Sequence, residues 1–275
     1  MGMADRSESL DRILVITPTY NEAKNIESIV SRLRDAVPEA HSLIADDNSP
    51  DGTGAVADRL AAVDANVHVL HRANKQGLAA AYLAGFSWGL ERGYEVLVEM
   101  DADGSHQPEL LPAMLTALRD CDADMVKGSR WVRGGSTNQA RERELLSRLA
   151  NIWIQVVMDL PVRDATGGFN VFRASMLRRM DLDQVASKGY TFQVDMTRRV
   201  LAAGGRIAEV PIYFPDREVG VSKMSGAIIA EALKRTACWG AQIRIEQLRR
   251  TLRKASQLAR NIGQANDEAD QLDDQ

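Results

Sequence analysis

The sequence predicts an α/β fold built on a mostly parallel sheet flanked by helices. Short apolar runs typical of buried strands alternate with longer segments whose apolar residues recur at helical spacing. Three of these runs, starting at Arg12, Leu43 and Glu95, end in polar clusters. Ligands of such sheets bind beyond the carboxyl ends of the strands, so the sequence also predicts one composite site at one edge of the sheet.

The predicted elements follow each other closely over the first half of the chain. Apolar runs predict strands at residues 12–17, 43–45, 67–70, 95–100 and 124–130. Helical spacing predicts helices at residues 26–33, 55–63 and 77–91. Turn residues separate them, as in the stretch Asn48-Ser49-Pro50-Asp51-Gly52.

After residue 130 the alternation weakens. Residues 133–143 are rich in glycine and charge and are predicted to form a mobile loop. The apolar spacing that follows predicts a helix through Leu145, Leu149 and Trp153. Residues 167–170 are predicted to turn into a short strand, and residues 207–214 to form one further strand.

The chain is predicted to divide into four parts. Residues 1–11 are a polar, flexible N-terminus, and residues 12–225 form the α/β domain. Residues 226–263 form an amphipathic C-terminal helix, because apolar residues there keep alternating spacings of three and four. Residues 264–275 form an acidic, disordered tail.

Composition and charge narrow the classes of function. The 275 residues carry a formal net charge of −4, which argues against binding nucleic acid through bulk positive charge. The N-terminus has no apolar signal core, and no run approaches the roughly 20 apolar residues that span a bilayer. We therefore expect a cytoplasmic protein whose contact with any membrane is peripheral.

Asp101 and Asp103 are the strongest metal candidates. They stand one residue apart at the end of an apolar strand, where a bend lets both carboxylates approach one Mg²⁺ or Mn²⁺. Such an ion neutralises charge that develops on a leaving diphosphate. An Asp-x-Asp pair alone is more often a surface turn, and the position at a strand end is what favours a metal.

Two further sets of polar residues fit the same site. Asp46 and Asp47 either cap the following turn or accept a hydrogen bond from a ring N–H of a nucleotide base. Basic residues in loops are candidates for binding phosphate oxygens, namely Arg130, Arg143, Arg217 and Lys223. The phosphate-binding loop of P-loop enzymes and the glycine motif of dinucleotide-binding folds are both absent from the sequence.

Eight stretches in order make the pattern recognisable. They are PTYNE (18–22), DDNSPDGT (46–53), MDADGSHQP (100–108), GSRWVRGG (128–135), ATGGFNVFR (165–173), KGYTFQVDM (188–196), EVPIYFPDR (209–217) and GVSKMS (220–225). Together they resemble the dolichyl- or polyprenyl-phosphate mannosyltransferases, the dolichol phosphate mannose synthase family among the family 2 glycosyltransferases. The resemblance implies a GT-A (Rossmann-like) fold, and the apolar spacing at 226–263 adds a C-terminal helical extension to it.

The resemblance also implies substrates and residue roles. GDP-mannose is the implied donor and a polyprenyl phosphate the implied acceptor. Asp101, Asp103 and Ser105 are implied to hold the metal, and Arg143 with Ser147 to receive the acceptor phosphate. The implied donor-binding residues are Pro18, Tyr20, Glu22, Ala45, Asp47, Asp101, Ala102, Asp103, Arg130, Arg217 and Lys223.

A lipid phosphate needs no protein base, because phosphate monoesters are largely ionised near neutral pH. We therefore expect inverting transfer that relies on positioning and electrostatics. Membrane contact is expected on the cytoplasmic face, through the helix that carries Leu145, Leu149 and Trp153, through the basic helix at 226–263, or through an integral-membrane partner. Packing of the second helix against the domain or a partner is the alternative.

Other functions stay open on the sequence alone. Transfer of glucose or an aminosugar from a UDP-sugar to the same lipid would use similar motifs. A sugar nucleotidyltransferase would place a glycine-rich, basic loop directly after the first strand, where this chain has PTYNEAKN. A non-catalytic scaffold would not need to keep Asp101, Asp103, Arg130 and Arg217.

Overall fold

A computed structural model describes residues 10–185, 189–215, 230–245, 247–249 and 251. The strands are β1 (Ile13–Thr19), β2 (His41–Asp46), β3 (Val67–His71), β4 (Val96–Glu99), β5 (Met125–Ser129), β6 (Ser136–Thr137), β7 (Asn170–Arg173), β8 (Ile207–Pro211) and β9 (Tyr213–Phe214). The helices are α1 (Ile26–Ala36), α2 (Thr53–Val63), α3 (Leu78–Glu91), α4 (Leu111–Asp120), α5 (Arg141–Met158), α6 (Ala174–Arg179) and α7 (Tyr190–Ala202). Residues 230–245 are also helical.

Seven strands form one sheet in the order β3-β2-β1-β4-β7-β5-β8. All neighbours pair in parallel except β7, which runs antiparallel to both β4 and β5. Since β4 and β5 both oppose β7, they run in the same direction as β1 and β2. The carboxyl ends of these four strands therefore meet at one edge, and the predicted α/β fold with a mostly parallel sheet is confirmed.

Alternation along β1 shows how the sheet is covered on both faces. Ile13 and Val15 pack into a core with α1 and α4, whereas Leu14 and Ile16 pack into a second core with α3, α6 and α7. Helix α3 lies very close to β1, because a Cβ on Gly85 would stand 2.5 Å from Cγ2 of Ile16. These two cores fix the strands whose ends carry the polar clusters.

Two predicted elements differ from the structure. Residues 207–214 form two strands rather than one: β8 extends the large sheet, and β9 pairs with β6 in a separate two-stranded sheet. The two strands are separated at Ile212. Its side chain is buried and its N–H donates a hydrogen bond to the Ser129 carbonyl (3.1 Å), and the chain turns away from the large sheet there. The predicted loop at 133–143 was also wrong in part, since it contains β6 and the first residues of α5.

The described residues divide into two compact units. The first contains residues 10–155 and 160–215, and the second contains residues 156–159 with the described helical residues from 230 to 251. Within the described ranges, no helix combines the length and the apolar character that crossing a membrane requires. Residues 1–9 and the predicted acidic tail at 264–275 lie outside the described residues, and the four-part division stays a prediction.

Candidate active site

The chain bends sharply after β4, which gathers the Asp-x-Asp motif at the strand end. Gly104 has a φ of 78°, a conformation that glycine adopts without strain. Asp103 Oδ1 accepts hydrogen bonds from the N–H (3.1 Å) and the hydroxyl of Ser105. Asp101 Oδ1 accepts one from the hydroxyl of Tyr82 on α3 (2.6 Å). The chain therefore bends after β4 and Asp103 contacts Ser105 there, whereas joint binding of a metal by Asp101, Asp103 and Ser105 stays a prediction.

The turn itself is supported from below by a buried histidine. Nδ1 of His106 accepts the backbone N–H of Asp101 at 2.8 Å. Its ring stacks on Phe169 with the ring centroids 5.2 Å apart. Because both rings are buried, this contact supports the backbone at Asp101 from inside the domain.

The two aspartates at the end of β2 have different roles. Asp46 accepts hydrogen bonds from the hydroxyls of Thr19 and Ser49, and from the N–H of Ser49, so it holds the turn. Asp47 forms an ion pair with Arg72, and both side chains are largely buried. Burial raises the pKa of Asp47 despite the opposing charge of Arg72. Asp46 therefore has the predicted role of capping the turn, and Asp47 remains the candidate for binding the nucleotide base.

The remaining predicted donor residues stand beside these strand ends. Pro18 on β1 lies directly opposite Ala45 on β2 in the strand register. The ring of Tyr20 is covered by the Lys75 ammonium, 3.5 Å from the ring centroid. Burial, and then the nearby carboxylates of Asp103 and Asp101, raise the pKa of Glu22. The negative charges at the end of β4 therefore act on a carboxyl group that follows β1.

Arg130 follows β5 and is held in a buried ion pair. Its Nε and Nη2 donate to the two carboxylate oxygens of Asp164 at 2.7 and 2.8 Å, and Nη2 also donates to the Thr166 hydroxyl. The guanidinium carbon lies about 5 Å from the rings of Trp131 and Phe214. Arg130 is therefore fixed before any ligand arrives, with its second terminal nitrogen, Nη1, outside this two-point contact.

Of the other residues predicted to bind phosphate, the structure describes only the two on α5. Arg143 lies in the first turn of α5 and Ser147 one turn later, a spacing that puts two side chains on one face of a helix. The Ser147 carbonyl accepts the side-chain amide of Asn151. Arg217 and Lys223 lie outside the described residues, so their proposed phosphate contacts remain predictions.

Comparison with known proteins decides the family. The family model described as glycosyl transferase family 2 matches residues 14–181. An undecaprenyl-phosphate mannosyltransferase of Micrococcus luteus is 54% identical over 242 residues, which cover 88% of this chain and 99% of the relative. A polyprenol monophosphomannose synthase of Mycolicibacterium smegmatis is 51% identical over 244 residues, 88% of this chain and 92% of the relative. The chain belongs to glycosyl transferase family 2.

Solved structures of more distant proteins share the fold of this glycosyltransferase. A mannosyltransferase of Pyrobaculum calidifontis, in complex with GDP-Man and Mn²⁺, aligns with a TM-score of 0.54 at 19% identity, over 86% of this chain and 64% of the other. Glucosyl-3-phosphoglycerate synthase of Mycobacterium tuberculosis aligns with a TM-score of 0.59 at 16% identity, over 85% and 80%. The mostly parallel sheet with flanking helices is the GT-A-like arrangement expected from the sequence.

Three residues that support the site of this glycosyltransferase were not predicted to do so. They are Tyr82, which bonds Asp101, Asp164, which bonds Arg130, and Arg72, which pairs with Asp47. Only Asp164 had a signal in the sequence, since it immediately precedes the stretch ATGGFNVFR. The other two depend on which helix or loop packs against each strand end, and one sequence does not give that.

The acidic residues fit a divalent metal that also binds substrate. Asp101 and Asp103 offer hard oxygen ligands, and the raised pKa of Glu22 reflects burial and a surplus of negative charge that a cation would offset. Among the described residues, no group of three or more His, Cys, Asp or Glu side chains could hold a metal alone. Such a set suits Mg²⁺ or Mn²⁺, which are commonly bound by one or two carboxylates together with substrate phosphates.

A buried polar row lies directly beneath the site. Glu99, Asn170 and Lys127 stand side by side on β4, β7 and β5, and all three are fully buried. Asn170 donates to Glu99 (2.8 Å) and accepts from Lys127 (2.9 Å). Burial raises the pKa of Glu99 to about 7 and lowers the pKa of Lys127 to about 8.

This row predicts a pH-dependent stability. The native state keeps a proton on Glu99 that the unfolded chain releases near its ordinary value of 4.5, so the free energy of unfolding should fall as pH rises from 4.5 towards 7. Glu99→Gln should remove this part of the slope in urea titrations without added metal. Glu109→Gln is the control. Hydrogen bonds from Arg32 lower the pKa of Glu109, so this variant should change the pH dependence of the unfolding free energy only below pH 4.5. An unchanged slope in Glu99→Gln would contradict the assignment.

Proposed function

We propose that this glycosyltransferase transfers mannose from GDP-mannose to a polyprenyl phosphate, with inversion at the anomeric carbon. The observation that carries the proposal is its identity of 54% to an undecaprenyl-phosphate mannosyltransferase over nearly the whole of that relative. The strand-end carboxylates and Arg130 support it, because they suit a nucleotide diphosphate and a metal. The product would be a lipid-linked mannose.

The donor nucleoside would lie across the ends of β1 and β2. Pro18, Tyr20 and Ala45 would form its floor, and Asp47 would accept a ring N–H of the base. Glu22 would also contact the nucleoside. This arrangement uses the strand ends that ligands of open α/β sheets generally occupy.

The diphosphate would lie over the Asp-x-Asp turn. Asp101 and Asp103, with Ser105 directly or through water, would hold Mg²⁺ or Mn²⁺, and Ala102 would contact the diphosphate through its backbone. The ion, when bound, supplies positive charge that offsets the charge developing on the leaving GDP. Arg130, together with Arg217 and Lys223, would donate hydrogen bonds to the phosphate oxygens.

The acceptor phosphate would be received by Arg143 and Ser147 on α5. A charged guanidinium and a hydroxyl one helical turn apart can bind and orient two oxygens of one phosphate. An ionised phosphate oxygen would attack the anomeric carbon as the bond to GDP breaks, and no proton has to be removed. The work of the protein is then to orient two anions and to stabilise their charge.

Access to a lipid acceptor requires contact with a membrane surface, which we place on the cytoplasmic face. On one side of α5, the residues Leu145, Leu149 and Ile152 are each more than half exposed to solvent. An amphipathic helix of this kind can lie in the bilayer interface. The amphipathic segment at 226–263 or an integral-membrane partner would add to this contact.

The role of Tyr82 gives a test of the metal site. Tyr82→Phe removes the hydroxyl that orients Asp101 but keeps the ring, which stacks with Phe86 and Phe192. Loss of such a supporting contact typically costs about 10–100-fold in metal affinity or activity. We expect the Mn²⁺ concentration for half-maximal transfer to rise by about 10-fold. Tyr94→Phe is the matched control, because the Tyr94 hydroxyl contacts His41 and His68, far from this edge.

A donor panel tests the function itself. Purified protein would be incubated with undecaprenyl phosphate, Mg²⁺ and labelled GDP-mannose, UDP-glucose or UDP-N-acetylglucosamine, and the lipid phase counted. Label from GDP-mannose alone is the expected result. Label from UDP-glucose instead would support the second candidate, glucosyl transfer at the same site, and no label from any donor would refute both.

A further inference from the structure

A small polar cavity lies beside α5, apart from the strand-end site. It has a volume of about 210 Å³. Its lining residues are Trp131, Arg148, Asn151, Ile152, Gln155 and Arg163. Pockets for drug-sized ligands usually measure about 300–1,000 Å³, so this cavity suits a small group rather than a nucleotide sugar.

The chemistry of the lining favours an anion. The lining contains two guanidinium groups and one indole ring, while the side-chain amides of Asn151 and Gln155 donate to protein oxygens. Within the described part of the chain, the guanidinium of Arg163 has no ion pair or hydrogen bond. Arg148 lies over the ring of Trp131 at 4.2 Å and pairs with Glu144 at an exposed position. Guanidinium forks match phosphate oxygens well, and exposed ion pairs such as that of Arg148 are weak enough to exchange.

The cavity borders the apolar stripe of α5, by which we mean the exposed side chains of Leu145, Leu149 and Ile152 with Leu146 and Trp153 at its margin. At 100° per residue, the first three lie within about 60° of each other around the helix. Arg148 and Gln155 follow along one flank of this stripe. Ile152 belongs to both the stripe and the cavity lining, so the two surfaces are continuous.

We propose that this cavity binds the phosphodiester headgroup of an anionic phospholipid while the apolar stripe enters the acyl region of the bilayer. A phospholipid joins these two chemistries in one molecule: a small anion next to apolar chains. The inference deepens the proposed function, because a lipid acceptor brings this helix to a membrane, but it concerns a bulk lipid that is not consumed in the reaction.

Hydrogen bonds join the cavity to the strand-end site. Asn151 accepts the N–H of Ala165 (2.8 Å) and donates to the hydroxyl of Thr166 (3.1 Å), which in turn accepts a bond from Arg130. Two hydrogen bonds thus separate a headgroup in contact with Asn151 from the guanidinium of Arg130, which is expected to bind substrate phosphate. The bilayer surface would then lie close to the point of transfer.

Vesicle binding tests the headgroup site without any donor sugar. The full chain would be sedimented with vesicles of phosphatidylcholine alone and of phosphatidylcholine with phosphatidylglycerol. An arginine near an anionic bilayer contributes about 1 kcal/mol, or roughly 5-fold in binding. We expect Arg148→Gln and Arg163→Gln each to weaken binding to the anionic vesicles by about 5-fold and to leave binding to neutral vesicles unchanged. Leu149→Ser should weaken both.

Controls separate a built pocket from general surface charge. Arg59→Gln, on α2, should bind both kinds of vesicle like the wild type. Glycerophosphoglycerol, a water-soluble headgroup, should change the tryptophan fluorescence of the wild type but not that of Trp131→Phe. If inorganic phosphate acted equally well, the cavity would be a free-phosphate site, and the lipid assignment would be overturned. Thermal unfolding would show that each variant is folded.

The outcomes distinguish this proposal from the proposed function. Wild-type affinity for anionic vesicles in both arginine variants would overturn the headgroup site, even if mannosyl transfer is demonstrated. Transfer to a short, water-soluble prenyl phosphate without vesicles should be unchanged in Arg163→Gln. Failure of that transfer in the wild type would refute the proposed function while the vesicle result stands. Binding of the stripe only to a second copy of the chain would overturn the membrane assignment.

Discussion

Asp103→Asn is expected to lower mannosyl transfer by about 10²–10³-fold, the loss typical of removing one electrostatic contact to a charged transition state. The amide oxygen of asparagine can still accept the hydrogen bonds from Ser105, so the turn after β4 should keep its shape. What is lost is the negative charge that would hold a divalent metal on the leaving diphosphate. The measurement is the initial rate of label entering the lipid phase at saturating Mn²⁺.

Asp35→Asn provides the matched control for this result. Asp35 is an exposed residue of α1, and the same loss of one charge there should leave the rate unchanged. If Asp103→Asn retained the wild-type rate and metal dependence, the strand-end carboxylates would not form the metal site. If both variants lost activity equally, the effect would come from net charge rather than from position.

Asp164→Ala is expected to destabilise the protein by about 3–5 kcal/mol, the cost of leaving one partner of a buried ion pair alone. Asp164 is completely buried, and only 9% of the Arg130 side chain is exposed. Burial would raise the pKa of Asp164, but Arg130 outweighs it and the pKa is lowered. The pair therefore stabilises the fold above the ordinary carboxyl pKa, and this contribution is lost as pH falls through the lowered value. Urea denaturation at neutral pH measures the change.

Glu109→Ala serves as the comparison for Asp164→Ala. Glu109 also binds an arginine through two hydrogen bonds, from Arg32, but at the surface. Exposed pairs contribute about 0–1 kcal/mol, so this variant should unfold almost like the wild type. Equal destabilisation in the two variants would show that burial of the Arg130–Asp164 pair is not what makes it strong.

The sequence was sufficient for the parts of the fold that periodicity determines. Buried strands such as β1 and β4 are continuous apolar runs, and α5 shows the spacing of a helix. The polar residues that follow the strands were correctly expected at one edge, because strand direction alone fixes where the ends lie. The contact between Asp103 and Ser105 is local, two residues apart in the motif, and the grouping of both with Asp101 around a metal stays a prediction.

Contacts between distant segments could not be obtained in this way. β6 and β9 have two residues each, and their pairing depends on Ser136 meeting Tyr213 across 77 positions. Arg130 was expected to meet phosphate, but its ion pair with Asp164 depends on the path of the chain after α5. Neither a two-residue strand nor a buried ion pair produces a repeating pattern of residues that can be seen in a single sequence.

The configuration of the transferred sugar tests the central claim most directly. Purified protein, GDP-α-mannose, Mg²⁺ and a polyprenyl phosphate would be combined, and the one-bond carbon–hydrogen coupling at the anomeric position of the lipid product measured by NMR. Direct attack by the acceptor phosphate at this site predicts a β-linked mannosyl phosphate. An α-linked product would require a covalent intermediate or another mechanism, and would contradict single-step transfer without a protein base.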